Sequence, residues 1–263
     1  MKIIVITGST RGIGLAMADA FLAQGCAVVV SGRNQNSVDA AVGLLSQKYD
    51  QERLLGVPCQ VSALQQVEAL WAAAEKRFGR VDVWVNNAGA AHGVQKLWEL
   101  PSDKMRTIIE TNILGVLHGV RVAMQGMIAQ DSGKIFNLEG YGSTKRIMAG
   151  LNVYGTTKAG ITFLSKALAL EAKDTPIIIG TLQPGMVMTD LILDQYKNQP
   201  EALEKVKPIF NIIADRPENV GPYLVEKMLA ANRSGASIHY LSSWRMAWRF
   251  MTARFSKRDL FTE

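Results

Sequence analysis

Short apolar runs without polar alternation recur along the chain, and longer amphipathic segments separate them. Ile3-Ile4-Val5-Ile6, Ala27-Val28-Val29-Val30-Ser31, the run 81–85 and the run 134–138 are of the first kind. An unbroken β-branched run fits a strand buried on both faces, since both sides of the pleat must then be apolar. Residues 64–78, 105–128, 160–172 and 218–231 are the clearest helical patterns. Strands alternating with helices predict a mostly parallel sheet covered by helices, which is an α/β, doubly wound architecture. No Ser/Gly-rich or Pro-rich linker, charge block or repeat divides residues 1–263, so a single domain is expected.

The first strand runs directly into Thr7-Gly8-Ser9-Thr10-Arg11-Gly12-Ile13-Gly14, and helical composition follows from Leu15 to Phe21. Glycines between a strand and a helix let the backbone turn tightly and approach a pyrophosphate at the positive end of the helix dipole. The second strand ends in Gly32-Arg33-Asn34, with no acidic residue where an NAD ribose would bind one. Arg33 and Arg11 offer guanidinium groups suited to a 2′-phosphate, so NADPH is the expected cofactor.

Tyr154 and Lys158 stand four residues apart in Val153-Tyr154-Gly155-Thr156-Thr157-Lys158. On a helix that spacing puts both side chains on one face. A cation beside a phenol favours the phenolate and is expected to draw the Tyr pKa down toward working pH, which makes a general acid for a carbonyl oxygen.

With these motifs the chain resembles the short-chain dehydrogenase/reductase family along essentially its whole length. The glycine loop, Asn86-Asn87-Ala88-Gly89, Asn112, the Tyr154/Lys158 pair and Pro184-Gly185 occur in the family's order and separations. The resemblance implies a Rossmann-type domain with a seven-stranded sheet and a nicotinamide-dependent oxidoreductase. It implies nucleotide contacts at Gly8, Ser9, Thr10, Arg11, Gly12, Ile13, Gly14, Arg33, Asn34, Gln60, Val61, Asn87, Ala88, Gly89, Tyr154, Lys158, Pro184, Gly185, Val187 and Thr189. Tyr154 would donate the proton, Lys158 would lower its pKa and hold the nicotinamide ribose, and Asn112 would anchor a relay water. Homodimers or homotetramers are implied as well.

Two positions depart from the family pattern. Gln60 stands where many members carry an Asp against the adenine. The usual paired serines at the end of the fifth strand are replaced by Glu139 and Gly140, leaving Ser143, with Thr144 next, as the substitute that would orient the substrate oxygen. A loop serine that only shapes a turn is the competing reading of Ser143.

A narrower likeness lies in the substrate-facing loops. Residues 136–143, 184–191 and 210–213 leading into Pro217-Glu218-Asn219-Val220 look like the chlorophyll b reductase branch, which also carries Gly followed three residues later by Ser. That branch implies reduction of the 7-formyl group of chlorophyll b or chlorophyllide b to hydroxymethyl with NADPH. Residues 184–216 read as a substrate lid in which Met186, Met188, Leu191, Ile192 and Leu193 suit a bulky apolar carbonyl compound. Tyr141 is placed at the pocket's border. A reductase of 3-oxoacyl carrier-protein thioesters and a non-catalytic NADPH-binding regulator are the competing readings.

Composition changes this picture little. The formal charge is +6. Its most visible concentration is the basic, aromatic segment 243–263, where Trp244, Trp248, Met251 and Phe255 recur at one helical stripe. The stripe packs on its own domain or a neighbouring subunit, or it meets a membrane or a pigment–protein complex. No nucleic-acid-binding motif is present, so nucleic acid is not an expected partner. Cys26 and Cys59 fall on separate strands and read as buried thiols. His92, His118 and His239 have no metal-ligand spacing, and His92 reads as a solvated loop residue beside the substrate mouth. A first strand that begins at once, and no run long enough to span a bilayer, lead to the expectation of a cytoplasmic protein.

Overall fold

A computed structural model describes residues 1–143, 147–196, 200–253 and 258–261. In chain order the elements are β1 (Ile3–Ile6), α1 (Gly12–Ala23), β2 (Ala27–Gly32), α2 (Gln35–Ser46), β3 (Leu54–Pro58), α3 (Leu64–Phe78) and β4 (Val83–Asn86). There follow α4 (Ser102–Ile109), α5 (Gly115–Ala129), β5 (Gly133–Leu138), α6 (Asn152–Glu171) and β6 (Ile177–Gln183). The chain ends with β7 (Met186–Val187), α7 (Asp190–Leu193), α8 (Pro200–Ile213), β8 (Ala214–Asp215), α9 (Pro217–Ala230), β9 (Ala236–His239) and α10 (Ser243–Thr252).

Seven strands form one sheet in the order β3-β2-β1-β4-β5-β6-β9, every neighbouring pair parallel. The order reverses between β1 and β4, so the carboxyl ends of these strands open the crevice where a doubly wound fold binds its ligand. β1, β2 and β4 are buried at every position, as unbroken apolar runs require. One apolar layer, with Met17, Phe21, Leu224 and Met228, packs α1 and α9 on one face of the sheet. The other, with Leu70, Trp71, Val120 and Ile161, packs α3, α5 and α6 on the opposite face.

Two helices differ from the sequence expectation. Residues 105–128 read as one helix, but it begins at Ser102 and is interrupted by a π turn over Glu110–Leu114. Periodicity cannot register one extra residue per turn, and such turns gather at functional sites. The helix expected over 160–172 begins earlier, at Asn152, and so includes Tyr154 and Lys158. Gly155, Thr156 and Thr157 weaken the local pattern there, and packing on the sheet supplies what propensity does not.

Candidate active site

The glycine loop is held from below by Asn87. Its Nδ2 donates to Thr7 O and Gly8 O at 2.8 Å each, and Thr7 Oγ1 accepts from Ala88 N at 3.1 Å. A Cβ on Gly14 would lie 2.5 Å from that same Nδ2 and 2.5 Å from Gly8 O, so only glycine lets the helix start sit this low on the strand ends. Gly8, at φ +64°, turns the chain within 2.8 Å of the Ala88 Cα as measured from a Cβ position. The amino terminus of α1 has no side-chain cap and no acid in its first turn. Its free amides and positive dipole end fit a pyrophosphate, so the residues present suit a dinucleotide.

Other nucleotide-side residues have partners of their own. Asn34 Oδ1 caps α2 through Ser37 N at 2.9 Å. Gln60 Nε2 donates to Ser62 Oγ at 3.0 Å. Arg33 is exposed, as a 2′-phosphate ligand must be. Arg11 instead reaches across the cleft to Asp190 at 3.1 Å, with both side chains more than half exposed. Gly12 and Thr189 also meet across it, so the lid's first turn touches the glycine loop.

Tyr154 and Lys158 lie on α6 beneath the end of β5 and converge with Asn112 and Gly89. A Cβ on Gly89 would be 3.6 Å from Asn112 Oδ1 and 3.9 Å from Lys158 Nζ. Lys158 Nζ donates to Leu138 O at 2.9 Å and stands 5.9 Å from the centroid of the Tyr154 ring. Burial pushes the Tyr154 phenol up to about 12 and pulls the Lys158 ammonium down to about 8, the latter opposed by the charge of Glu139. The expected lowering of the Tyr pKa by Lys158 is therefore not what this pocket produces. The cation turns to a backbone carbonyl, and desolvation of the phenol outweighs its field. At neutral pH Tyr154 is a neutral phenol, the form that donates a proton.

Asn112, in the π turn, is buried with its amide engaged on both ends. Oδ1 accepts from Ala90 N at 2.8 Å, and Nδ2 donates to Ala90 O at 2.9 Å and to Thr157 Oγ1 at 3.0 Å. That side chain joins the strand-four loop to α6.

His92 differs from the solvated residue expected. It is 2% exposed, and its ring sits against the catalytic helix. Gly93 O can only accept, so Nδ1 is the donor in that 2.7 Å bond, and Nε2 is left to accept a 3.5 Å contact from Tyr154 N. No motif marked this role, since a single His after a turn carries no periodicity.

Gly140, not Ser143, occupies the place beside the phenol. A Cβ there would be 2.6 Å from Tyr154 Oη. Ser143 Oγ accepts from Gly140 N at 3.3 Å and donates to Lys158 O at 3.2 Å, while Ser143 N closes a turn onto Gly140 O at 3.1 Å. The turn reading of Ser143 matches this geometry, and its hydroxyl is brought to the α6 backbone rather than to the phenol. Thr144, its alternate, lies outside the described residues. Tyr141 is partly buried on this same turn.

Residues 184–216 leave the sheet at buried Pro184 and fold as β7, α7, α8 and β8, with β7 and β8 paired in parallel. Met188 N donates to Asp215 O at 2.8 Å, which ties the loop after Val187 to β8. The Asp215 side chain gathers five donors. Tyr240 Oη (2.6 Å), Asn219 Nδ2 (2.8 Å), Arg258 Nη2 (2.7 Å) and Arg216 N (3.0 Å) are joined by the Arg249 guanidinium. Burial raises its pKa, but the hydrogen bonds from Tyr240, Asn219, Arg249 and Arg216 prevail and hold it at about 2. Arg245 stacks on Tyr240 and Tyr223, at 4.6 and 5.1 Å from the ring centroids. The arginines of the carboxyl-terminal helix thus face inward, and Trp244, Trp248 and Met251 face outward, 75%, 56% and 59% exposed. Phe255 lies outside the described residues.

Both cysteines are buried and free, and burial pushes the Cys59 thiol up to about 11. Among the described residues no cluster could hold a metal ion, and no helix is long and apolar enough to cross a membrane.

The short chain dehydrogenase family profile matches residues 2–200. The chain belongs to the short-chain dehydrogenase family. This short-chain dehydrogenase is 35% identical over 266 residues to the probable chlorophyll(ide) b reductase NYC1 of Arabidopsis thaliana, described as chloroplastic; the match takes in 95% of this chain and 52% of that protein. The chain therefore spans about half the length of that relative. It is 35% identical over 238 residues to the chlorophyll(ide) b reductase NOL of the same plant, also chloroplastic, covering 89% of this chain and 67% of that one. Among solved structures, a variant of actinorhodin polyketide ketoreductase with NADPH superposes at a TM-score of 0.81 and 26% identity, over 91% of this chain and 95% of that one. The fold and the family make this short-chain dehydrogenase an oxidoreductase acting on a carbonyl or alcohol group with a nicotinamide cofactor.

Proposed function

We propose that this enzyme is an NADPH-dependent carbonyl reductase whose substrate is the formyl group of chlorophyll b or chlorophyllide b, reduced to hydroxymethyl. The observation that carries the reading is the pairing of Gly140 with Tyr154. A glycine replaces the usual serine against the phenol, as in the chlorophyll b reductase branch, and two relatives named above are described as chlorophyll(ide) b reductases. The exposed Arg33 and the absence of an acid at the end of β2 support NADPH over NADH.

When bound, the reduced nicotinamide supplies the hydride. The chain's own residues do the rest. Tyr154, held neutral by burial, donates its proton to the developing alkoxide. Lys158 orients the ribose side of the cleft and passes a proton toward the phenol. Asn112 locks α6 to the strand-four loop, so that Tyr154 and Lys158 keep their spacing. Met186, Met188, Leu191 and Ile192, all partly buried, make the lid apolar and adaptable. A substrate of this class partitions into lipid. The outward stripe of α10, tied to the lid through Asp215 in a chain of net charge +6, supports contact with an anionic lipid surface.

The test is loss of reduced-nicotinamide absorbance on adding chlorophyllide b, with NADPH and NADH compared and the hydroxymethyl product identified by mass. Tyr154→Phe should lower turnover by about 10²–10⁴-fold and still bind NADPH. Unchanged turnover in that variant removes Tyr154 from its role. No product from the wild type, with NADPH bound, removes the substrate and leaves the oxidoreductase.

A further inference from the structure

One buried charge has no part in that account. Glu139 is 3% exposed, and it stands between the two residues that touch the catalytic pair. Leu138 before it accepts from Lys158 Nζ, and Gly140 after it lies against the phenol. Its carboxylate accepts from Thr162 Oγ1 at 2.9 Å and from Gln183 Nε2. Thr162 is one helical turn beyond Lys158 and also donates to the Lys158 carbonyl, at 3.2 Å.

Among the described residues Glu139 makes no direct ion pair, so neutral donors are its named partners. A carboxylate buried on neutral donors alone is costly unless an opposite charge shares its low-dielectric surroundings. Lys158 is buried in the same way, with its ammonium on a neutral carbonyl. Around Lys158, Tyr154 lies on α6 itself and Asn112 comes from the π turn, while His92, in the loop after β4, contacts the backbone amide of Tyr154. Exposed Lys166 lies across a crevice of about 200 Å³ that Glu139, Thr162, Gln183 and Ser237 also line. Glu139 is the carboxylate in this set, and it is also the charge that opposes the effect of burial on Lys158.

We propose that Glu139 is a positioning residue for the proton relay: its buried carboxylate keeps Lys158 in the ammonium form. It acts through Lys158. The inference rests on Tyr154 and Lys158 being the relay pair, but not on the identity of the carbonyl substrate.

Removing the negative charge leaves burial unopposed, so Lys158 should lose its proton at lower pH. Competitive labelling with acetic anhydride across pH, with Lys158 located by peptide mass mapping, reads this without any substrate. In Glu139→Gln the Lys158 midpoint should fall by about one pH unit. The alkaline limb of the kcat profile should move by the same amount, with KM unchanged. Thr162→Val removes a hydrogen bond but no charge, so it should lower the melting temperature and leave the midpoint in place. If Glu139→Gln does not fold, Glu139→Ser, which leaves room for water, carries the same expectation. A midpoint that stays put in either folded neutral variant overturns the proposal, and a lowered melting temperature with it would make Glu139 a structural residue. A shifted midpoint with no turnover on chlorophyllide b would keep this inference and sink only the substrate.

Discussion

The two walls of the cleft are assembled by different physics. On the amino-terminal wall, Gly8 and Gly14 pack against Ala88 and Asn87 at distances that leave no room for a side chain, and every strand beneath them is buried. Backbone shape is the whole device. On the carboxyl-terminal wall, the two-stranded ribbon, the start of α9, the end of β9 and α10 meet at one carboxylate, Asp215, whose partners come from residues 216, 219, 240, 249 and 258. Close packing responds to added volume, whereas an ionic hub responds to lost charge and to pH. A closely packed nucleotide seat thus faces a lid whose closing ribbon is anchored by charge at Asp215.

The sharpest test is at the hub. Asp215→Asn leaves Arg249 and Arg258 without their counter-charge, and a loss of about 2–4 kcal/mol is expected, toward the lower end because both guanidiniums are partly exposed. Chemical unfolding measures it, and dinucleotide affinity should change little. The pH dependence has a definite sign. The folded carboxyl is lowered from 3.8 to about 2, so its contribution is full above pH 4 and is lost as pH falls through 2. The wild type should therefore shed about 2 kcal/mol in that window relative to Asp215→Asn. Equal acid sensitivity in the two proteins would erase the distinction between the walls.

Next in size is Gly14→Ala. Its Cβ would press on Asn87 Nδ2, Gly8 O and the Ser9 Cα. Overpacking of about 1–3 kcal/mol is expected, with dinucleotide affinity weakened at least tenfold by calorimetry and the acid profile unchanged. The smallest effect on stability belongs to Trp248→Ser on the outer face of α10, within about 0.5 kcal/mol of wild type. Cosedimentation with anionic vesicles should nonetheless drop. Retained vesicle binding would mean that the stripe is not the lipid-facing surface.

Most of the first wall could be read before any fold was known. The Gly-x-x-x-Gly-x-Gly spacing, the apolar strands and the Asn-Asn-Ala-Gly turn are local patterns, and local patterns survive in one dimension. Tyr154 and Lys158 were legible for the same reason, because four residues on a helix is a fixed geometry. Ser143 shows where that stops. Counting back from Tyr154 in the sequence cannot say that the extra residues after Gly140 close a turn, which points the hydroxyl at the Lys158 carbonyl. His92 and Glu139 looked like loop and strand-end residues, and burial made them neighbours of the catalytic helix.

The chain by itself determined the α/β layering, the nucleotide seat and the spacing of the proton-donating pair, since each depends on residues close in sequence or on a simple period. Tertiary structure alone decided the state of that pair. Whether Lys158 lowers the Tyr154 pKa or burial raises it depends on which atoms surround two side chains in a dry pocket. It also turned the arginines of α10 inward and the tryptophans outward, because the buried Asp215 carboxylate, distant in sequence, takes its counter-charge from Arg249.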